Sequence, residues 1–432
     1  MTKRNQTKLT KGTTLTVQFS ALANGGTCVG TVIEKDSPYT GLKVFVKGVV
    51  PSETAIVRIT NTQGNFCEGE LIELKTTSKK RIPAPCPFYE AGCGGCDYQY
   101  IETSTQRELK REMVEQILKY QANIIPENGV YLIGEDLPSY HYRKRITLHI
   151  NKAGKIGFFQ KRSGDVIECD KCLLIVNELN QLLPALKDFI KQNPTLFSGM
   201  ILEYHEDNYF LVFKTSSFKP SQSYWQNLLT PLFPYFTAIH ISFNDNIIYQ
   251  YAKNPSDKFP FGHFCQVNTE GNKVLVEHIL SKIQGHDITE FYAGAGNFSF
   301  PLASQGKNVT AIELDPALVQ YANVLISQYK ELSARLKFVA SSTEKYLKRG
   351  LTSETILLDP PRSGAAQLSE ACRPDKQKEI VYVSCYPATL TRDLKTLVSH
   401  GYQVKEVAVL DMFPQTQHVE TICLLTPRRD TK

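Results

Sequence analysis

The stretch ITEFYAGAGNFSF, residues 288–300, joins a strand pattern to a helix pattern through glycines at 294 and 296. Glycine permits a tight turn and a close approach of the backbone to a ligand, and the first turn of a helix offers free amide donors. A second predicted strand runs into AIELD and places Glu313 about 20 residues beyond the turn, where a carboxylate can accept hydrogen bonds from ribose hydroxyls. The pattern therefore predicts a nucleoside-binding turn.

Two cofactors fit such a turn, NAD and S-adenosylmethionine (SAM). Dinucleotide-binding loops follow G-x-G-x-x-G, and Ser299 occupies the position of the third glycine here. A nucleoside without a pyrophosphate needs less of the loop, so the sequence favours SAM. The alternative is a glycine turn in an α/β sheet that binds nothing.

Strand and helix patterns alternate around this turn. Helix patterns cover 271–284, 298–304 and 316–328, and strand patterns cover 287–292, 308–314, 336–340, 355–359 and 379–384. This alternation predicts an α/β fold with a doubly wound, Rossmann-like parallel sheet. The closing segments 402–413 and 420–429 are predicted to form an antiparallel hairpin at the edge of the sheet.

Reactive side chains end three of these segments. Cys385 follows the apolar run 380–383, Asp359 ends the strand pattern 355–359, and Glu420 closes the segment DMFPQTQHVE. Doubly wound sheets bind ligands beyond the carboxyl ends of their strands, so we expect the thiol to lie at a ligand site. A thiol with two carboxylates beside a cofactor turn predicts covalent catalysis, whereas a cysteine met alone is most simply a small buried hydrophobe.

The amino-terminal region reads differently. Residues 14–75 hold five short strand patterns separated by turns: TLTVQFSAL, CVGTVIEK, KVFVKGVV, TAIVRIT and GELIELK. Five such strands predict a small barrel of the OB type, a fold that often binds oligonucleotides.

Cations and aromatic residues interleave between 140 and 172. They are Arg143, Lys144, Arg145, Lys161 and Arg162 with Tyr140, Tyr142, Phe158 and Phe159. Unpaired RNA suits this mixture, because bases stack on rings while phosphates pair with charge. A sheet with a charged outer face would read similarly.

The 432-residue chain has room for two or three domains, and we place them at 1–78, 79–262 and 263–432, with the predicted helix 102–121 packed on the last. Its net charge of +6 is compatible with a polyanionic partner. No apolar run approaches the roughly 20 residues that a membrane span needs, and the polar start lacks the apolar core of a secretory signal. Eleven cysteines in such a chain predict metal binding or chemistry in the reducing cytoplasm.

The motifs resemble those of the RNA uracil-5 methyltransferase family over nearly the whole chain. The family's F-x-Q-x-N, DPPR-x-G, SC-x-P-x-T-L-x-R-D and F-P-x-T-x-H-V-E correspond to 264–268, 359–364, 384–393 and 413–420. The resemblance implies a SAM-dependent methyltransferase sheet, an amino-terminal TRAM barrel and a β-rich central domain with a four-cysteine iron–sulfur motif. Glu290 and Ala293 depart from the usual Asp and Cys of the family's glycine loop.

The resemblance also assigns site residues. Cys385 would be the nucleophile and Glu420 the base; the SAM and uracil sites would be lined by Gln266, Tyr292, Gly294, Glu313 and Asp359, with Phe264 beside the target base and Arg362 supporting it or binding phosphate. Uracil C5 is a poor nucleophile until a thiolate adds to C6, and the C5 proton must then leave. We therefore expect a thiol of lowered pKa and a nearby base.

Four cysteines, Cys86, Cys93, Cys96 and Cys172, could bind zinc or a [4Fe–4S] cluster. The resemblance favours the cluster, although the first spacing, C-x6-C, is one residue longer than the family's C-x5-C. Cys169 is an alternative fourth ligand.

The barrel and the cysteines are more similar to those of 23S rRNA enzymes than to the bacterial tRNA uridine-54 enzyme, which lacks both. We expect RNA, 23S rRNA before tRNA, as the partner of a monomer. Two other interpretations are an enzyme that methylates exocyclic base nitrogens and an idle RNA-binding protein.

Overall fold

The computed structural model describes residues 9–64, 66–216, 221–254 and 265–428. Its strands form a closed barrel, a seven-stranded sheet and an eight-stranded sheet. In the described residues, no helix is both long and apolar enough to cross a membrane.

The barrel closes in the strand order β1-β2-β3-β5-β4. Its strands are β1 (Thr14–Ala23), β2 (Thr27–Val32), β3 (Lys43–Val46), β4 (Thr54–Gln63) and β5 (Phe66–Thr76). Alternate residues of each strand point inward, so Val17, Phe19 and Val57 are almost fully buried. The predicted five-stranded barrel is confirmed.

The central part of the chain contains a seven-stranded sheet in the order β13-β12-β11-β10-β7-β8-β9. The helices and strands of this central part of the chain are α1 (Pro87–Glu90), α2 (Thr103–Ile117), a π-helical turn (Leu118–Ala122), β6 (Val130–Ile133), β7 (Arg145–Ile150), β8 (Ile156–Phe159), β9 (Val166–Glu168), α3 (Asn177–Asn180), α4 (Leu183–Gln192), β10 (Phe197–His205), β11 (Asn208–Thr215), α5 (Gln222–Leu229), a 3₁₀ turn (Thr230–Leu232), β12 (Ala238–Phe243) and β13 (Asn246–Ala252). Of these strands, β6 belongs to the eight-stranded sheet. One face of the seven-stranded sheet packs around Trp225 and Phe213, which are both fully buried.

Seven strands of the carboxyl-terminal part, with β6 from the central part, form the eight-stranded sheet, in the order β16-β15-β14-β17-β18-β20-β19-β6. The elements of the carboxyl-terminal part are α6 (Thr269–Lys282), β14 (Asp287–Phe291), α7 (Ser299–Ser304), β15 (Asn308–Glu313), α8 (Pro316–Gln328), α9 (Lys330–Ser333), β16 (Leu336–Ala340), α10 (Thr343–Leu347), β17 (Thr355–Leu358), α11 (Ala366–Ala371), β18 (Glu379–Ser384), α12 (Pro387–Ser399), β19 (Tyr402–Leu410) and β20 (Glu420–Pro427). Strands β14 to β18 are parallel, and the central strands β17 and β18 are buried along their whole length, as expected for a doubly wound sheet covered on both faces. The predicted α/β sheet is confirmed.

The outer edge of this sheet differs from the prediction. β19 and β20 are antiparallel as expected, but β6 pairs in parallel with β19 and forms the edge strand. The register places Val130 opposite Val407 and Ile133 opposite Leu410. Strand β6 has only four residues and lies far from the other strands of this sheet in the sequence, so local patterns could not assign it to the sheet.

Helix α2 lies between the barrel and this sheet, in contact with β1, β6, β19 and α12. Its apolar residues Leu109, Met113 and Val114 belong to one apolar core that runs from the barrel to the sheet. The helix also buries Gln106 and Lys110, which bear on the site.

Candidate active site

Cys385, Asp359 and Glu420 come together where three neighbouring strands end. Cys385 follows β18, Asp359 follows β17, and Glu420 begins β20, which pairs antiparallel with β18. The register pairs Ser384 with Thr421, so the thiol and the Glu420 carboxyl group lie on adjacent strands at the same level. The structure thus groups the three side chains that sequence patterns singled out.

The thiol is not activated in the way that we expected. Burial, together with the neighbouring Glu420 and Asp359 carboxyl groups, raises the pKa of Cys385 to about 11, and the Arg362 charge partly opposes them. The expectation of a lowered pKa is therefore wrong for the free protein. The sequence indicated two carboxyl groups near the thiol, but it could not show that burial would favour the protonated thiol most strongly.

The two carboxyl groups share one buried environment. Burial raises the pKa of Asp359 to about 7. Burial raises the pKa of Glu420 well above its usual range, and the neighbouring Asp359 raises it further. Glu420 Oε1 is buried without a hydrogen-bond partner among the described residues, so it can accept a proton from a bound ligand.

Arg362 is exposed at the rim of this group, and one guanidinium nitrogen lies 3.2 and 3.3 Å from the two ring nitrogens of His418. Burial and the Arg362 charge lower the pKa of His418 to about 4. The imidazole is thus neutral at physiological pH and positions Arg362 without acting as a charged acid.

Asp393 holds the loop that carries Asp359 and Arg362. This buried carboxylate accepts hydrogen bonds from the backbone N–H of Ala365 and the hydroxyl of Tyr382, at 2.6 and 2.7 Å. A Cβ on Gly364, which has φ of +76°, would lie 2.5 Å from Asp393 Oδ2. Asp393 belongs to the motif at 384–393, but the sequence assigned it no role. Its buried position and its hydrogen bonds indicate that it holds this loop in place.

A cavity of about 230 Å³ lies beside this group. Gln266, Tyr292, Gly294 and Asp359, four of the predicted cofactor residues, line it. Tyr292, with φ of +63°, and Gly294, with φ of +57°, turn the backbone through the left-handed region. Phe264, predicted beside the target base, lies outside the described residues.

Glu313, the fifth predicted cofactor residue, stands behind the glycine turn. Its two carboxylate oxygens accept the backbone N–H groups of Gly294 and Asp315, each at 2.8 Å. Each oxygen keeps a second lone pair for a ribose hydroxyl.

Glu290, where the family usually has Asp, forms part of the cavity wall. Burial raises its pKa to about 8, against the effect of a hydrogen bond from the Ser299 hydroxyl. The chemistry of the wall fits SAM, because the carboxyl groups of Glu290 and Asp359 line it and a bound sulfonium or ammonium charge would favour their ionised forms.

A carboxylate of the central sheet anchors the segment that carries Gln266. Glu203 Oε1 accepts a hydrogen bond from the Cys265 thiol at 3.0 Å and lies 2.8 Å from His205 Nε2. These three side chains could together bind a cation, but the Arg145 guanidinium lies 3.7 Å from Glu203 Oε2 and opposes one electrostatically. We therefore interpret the group as an anchor.

The segment before Glu420 is held from the other side by α2. Gln106 and Gln415 exchange two hydrogen bonds, from the side-chain amide of Gln106 to Gln415 Oε1 and from the Gln415 backbone N–H to Gln106 Oε1. Lys110 forms a buried ion pair with Asp411. Sequence reasoning missed both contacts, although Gln106 and Lys110 lie one helical turn apart next to an apolar stripe.

Five thiols line a second, smaller cavity of about 40 Å³, those of Cys86, Cys93, Cys96, Cys169 and Cys172. A hydrogen bond from Cys169 is the largest cause that lowers the pKa of Cys93, to about 6, whereas burial raises that of Cys96 to about 12. The structure places the four predicted ligands around one cavity. Cys169 and Cys172 both line it, so both are candidates for the fourth ligand.

Comparisons with known proteins agree with this architecture. The family model described as tRNA (Uracil-5-)-methyltransferase matches residues 246–428, and the TRAM domain model matches residues 8–72. A crystal structure of Pyrococcus abyssi tRNA (uracil-54, C5)-methyltransferase, in complex with S-adenosyl-L-homocysteine, superposes with a TM-score of 0.71 over 95% of this chain and 99% of that one. At 23% identity this likeness shows the fold alone.

Two curated relatives are similar over most of the chain. The 23S rRNA (uracil(1939)-C(5))-methyltransferase RlmD of Dichelobacter nodosus is 30% identical over 400 residues, which cover 89% of this chain and 94% of that protein. The protein of the same name from Aliivibrio fischeri is 31% identical over 401 residues, with 88% and 90% covered. The resemblance predicted from the motifs is thereby confirmed, and the chain belongs to the RNA uracil-C5 methyltransferase family.

Proposed function

We propose that this enzyme methylates C5 of one uridine in 23S rRNA, with SAM as the methyl donor and Cys385 as a covalent nucleophile. The observation that carries the proposal is the grouping of Cys385, Asp359 and Glu420 at three adjoining strand ends, beside a cavity whose walls suit SAM. The relatives named for 23S rRNA support that substrate. Methylation of tRNA uridine-54 is the second candidate, since the family model that matches residues 246–428 is described as tRNA (Uracil-5-)-methyltransferase.

In the proposed reaction, Cys385 loses its proton to solvent and its sulfur adds to uracil C6. The electron pair displaced from the C5–C6 double bond would then form the new bond to the methyl carbon of bound SAM, while the bond between that carbon and the sulfonium sulfur breaks and S-adenosylhomocysteine leaves. Glu420 takes the C5 proton, the C–S bond breaks, and the thiolate is regenerated. A carboxyl group of raised pKa, with a buried oxygen that lacks a partner, suits a proton acceptor.

Asp359 and Arg362 position the base in this proposal. Asp359 lies between the cavity and Cys385, where it can bond the edge of the ring. The exposed Arg362 is available for a phosphate, which the guanidinium fork matches. The target uridine must be unpaired or flipped out, because C6 is out of reach inside a stacked helix.

The test uses 23S rRNA and tRNA transcripts that contain 5-fluorouridine, incubated with enzyme and SAM. Fluorine at C5 cannot leave as a proton, so the wild type should form a conjugate that survives denaturation, on the rRNA transcript. Cys385→Ser should form none, and Cys372→Ser, a change at a buried thiol outside the site, should behave as the wild type. A conjugate in Cys385→Ser would remove Cys385 as the nucleophile, and a conjugate on tRNA alone would reassign the substrate.

We also propose that Cys86, Cys93, Cys96 and Cys172 bind a [4Fe–4S] cluster with a structural role. The donor set fits, since soft thiolates that line one cavity are what such clusters require. Gln99 supports the set, because its side chain donates to Cys96 Sγ at 3.1 Å and accepts from the Cys86 backbone N–H at 3.2 Å. The bound cluster would hold the 86–96 loop against residues 169–172.

We propose further that the enzyme acts as a monomer in the cytoplasm. All the site residues named above belong to one chain, and none of the eleven cysteines, which all lie in the described part of the chain, forms a disulfide, as expected in a reducing compartment. Light scattering on purified enzyme at micromolar concentration should give one mass near 48.7 kDa, and a mass twice as large would contradict the monomer.

A further inference from the structure

A groove of about 780 Å³ runs between the barrel and the central sheet. Lys47 and Leu71 of the barrel line one wall, and the strand end at 158–162 lines the other. Residues 416–418 form part of the same groove, and His418 there contacts Arg362. The groove therefore leads from the barrel to the side chains around Cys385.

Two stacked rings lie in this groove. The His149 and Phe159 rings are 3.6 Å apart between centroids and 18° from parallel. His149 on β7 supports one side of the Phe159 ring, yet Phe159 remains 43% exposed. An apolar ring that is backed by a second ring and open to a large groove presents one flat face, which suits a flat ligand.

The charges in the groove favour a polyanion, because four cations line it against two acidic residues. The cations are Lys47, Arg143, Lys161 and Arg162, and the acidic residues are Glu70 and Asp97. Lys161 and Arg162 directly follow Phe159 and its neighbour Gln160, and both cations line the groove. Lys161 also lies over the Tyr89 ring, 3.9 Å from its centroid. A ring between cations matches a nucleotide, because the base can stack while its phosphates are neutralised.

The backbone of the platform is held by the cysteine loop. Gly94 donates its backbone N–H to the Phe159 carbonyl at 2.9 Å, and Lys161 donates to the Gly92 carbonyl at 2.9 Å. A Cβ at Gly94 would lie 2.8 Å from the Phe159 carbonyl oxygen, so the two segments approach as closely as glycine permits. The platform is therefore built into the fold.

We propose that Phe159, backed by His149, is the stacking platform for one unpaired base of the substrate RNA. This inference rests on the proposed function for its ligand, an RNA, and names the subsite that holds a base away from Cys385. A single platform in the groove would help to fix the register of the RNA strand while the target uridine enters the active site.

The test measures binding of a 23S rRNA hairpin transcript to SAM-free enzyme by fluorescence anisotropy. Phe159→Ala should weaken binding about tenfold, the loss typical of one stacked base. Phe159→Leu, which keeps an apolar side chain, should lose a similar amount, and Phe159→Trp should bind within about twofold of the wild type. Tyr235→Ala, at another exposed ring of the central part and outside this groove, should bind as the wild type.

Salt dependence separates stacking from charge. Phe159→Ala should leave the slope of log Kd against log salt unchanged, whereas Lys161→Ala should reduce it by about one. Wild-type affinity in Phe159→Ala, or in Phe159→Leu alone, would overturn the platform. Binding is measured without SAM, so this test does not depend on methyl transfer. If the wild type methylates rRNA and Phe159→Ala binds the RNA with wild-type affinity, only the platform is refuted.

Discussion

Lys110 and Asp411 form an ion pair in the protein interior, with 2.5 Å between Lys110 Nζ and Asp411 Oδ1 and side chains that are 0% and 2% exposed. The pair joins α2 to the start of the segment that ends at Glu420. The two hydrogen bonds that Gln106 and Gln415 exchange lie one helical turn away. Helix α2 thus fixes where Glu420, the proposed proton acceptor, begins its strand.

Replacing one partner of this ion pair should destabilise the protein more than replacing both partners. Lys110→Met leaves the Asp411 carboxylate buried and unpaired, at a cost of about 3–5 kcal/mol. The double variant Lys110→Met/Asp411→Leu should recover most of that loss. Urea denaturation of the two single variants and the double variant measures the coupling, and an additive double variant would contradict the pair.

Gly364 offers a paired comparison with Gly350. Both have positive φ, +76° and +84°, so alanine strains the backbone similarly at either position. Only at Gly364 would the new Cβ meet other atoms, Asp393 Oδ2 at 2.5 Å and an Arg392 nitrogen at 2.6 Å, whereas nothing lies within 4 Å at Gly350.

Gly364→Ala should therefore shift the loop of Asp359 and lower kcat/KM by more than tenfold, because a displacement of about 1 Å costs roughly 100-fold in a positioned site. Gly350→Ala should lose stability and keep its activity. Methyl transfer from labelled SAM measures both, and equal losses in the two variants would show that strain alone is responsible.

The pH dependence of methyl transfer follows from three raised pKa values. The thiol with a pKa of about 11, the Asp359 carboxyl group with one of about 7 and Glu420 with one well above its usual range all lose protons as pH rises. The reactive forms are the thiolate and the carboxylates, so the single-turnover rate should increase from about pH 6 to about pH 9.

His418, with a pKa lowered to about 4, stays neutral throughout that range and should add no step to the profile. A rate that falls above neutral pH would show that one of the three groups acts in its protonated form.

Glu420→Gln should separate the two halves of the reaction. The amide cannot take the C5 proton, so the RNA conjugate of Cys385 should accumulate with natural uridine, which denaturing gels detect. Absence of the conjugate would argue against Glu420 as the proton acceptor.

The same variant should be more stable than the wild type at high pH. Burial raises the folded-state pKa of Glu420, so the stability contribution of its protonated form is present below the unfolded pKa and is lost as pH rises through the folded value. Glu420→Gln cannot ionise, and its melting temperature should exceed that of the wild type at about pH 8 and converge with it at about pH 4.

The cysteine cavity should reveal its fourth ligand through iron content. Cys96→Ser should lose iron and the broad visible absorbance of the purified enzyme, and Cys372→Ser should keep both. The iron content of Cys172→Ser and of Cys169→Ser is compared with that of Cys96→Ser. The fourth ligand is the cysteine whose replacement loses as much iron. Full iron content in Cys96→Ser would contradict the cluster.

The sequence predicted the barrel, the parallel sheet and the strand-end side chains because each depends on short-range patterns. Alternating burial marks β1, and the glycine turn at 294–296 marks the cavity. The position of Cys385 followed from one rule, that sheets bind ligands beyond the carboxyl ends of their strands, whereas Glu420, at the start of β20, was singled out by its motif.

Features that depend on distant contacts were not predictable. Lys110 reads as a solvated position of a helix until its partner, 301 residues away, is known. The raised pKa of Cys385 comes from burial and from carboxyl groups on other strands. Likewise, nothing near Val130 in the sequence indicates that its strand pairs with β19.

That edge strand has a consequence for biosynthesis. β6 leaves the ribosome long before β19, its hydrogen-bonding neighbour, has been translated, and β20 must also be inserted before the sheet is whole. A nascent chain must therefore keep 130–133 unpaired until its last residues emerge, and a fragment starting near 265 would expose the bare flank of β19 to other chains. Gene fusions or truncations that separate these segments should yield aggregates rather than a smaller enzyme.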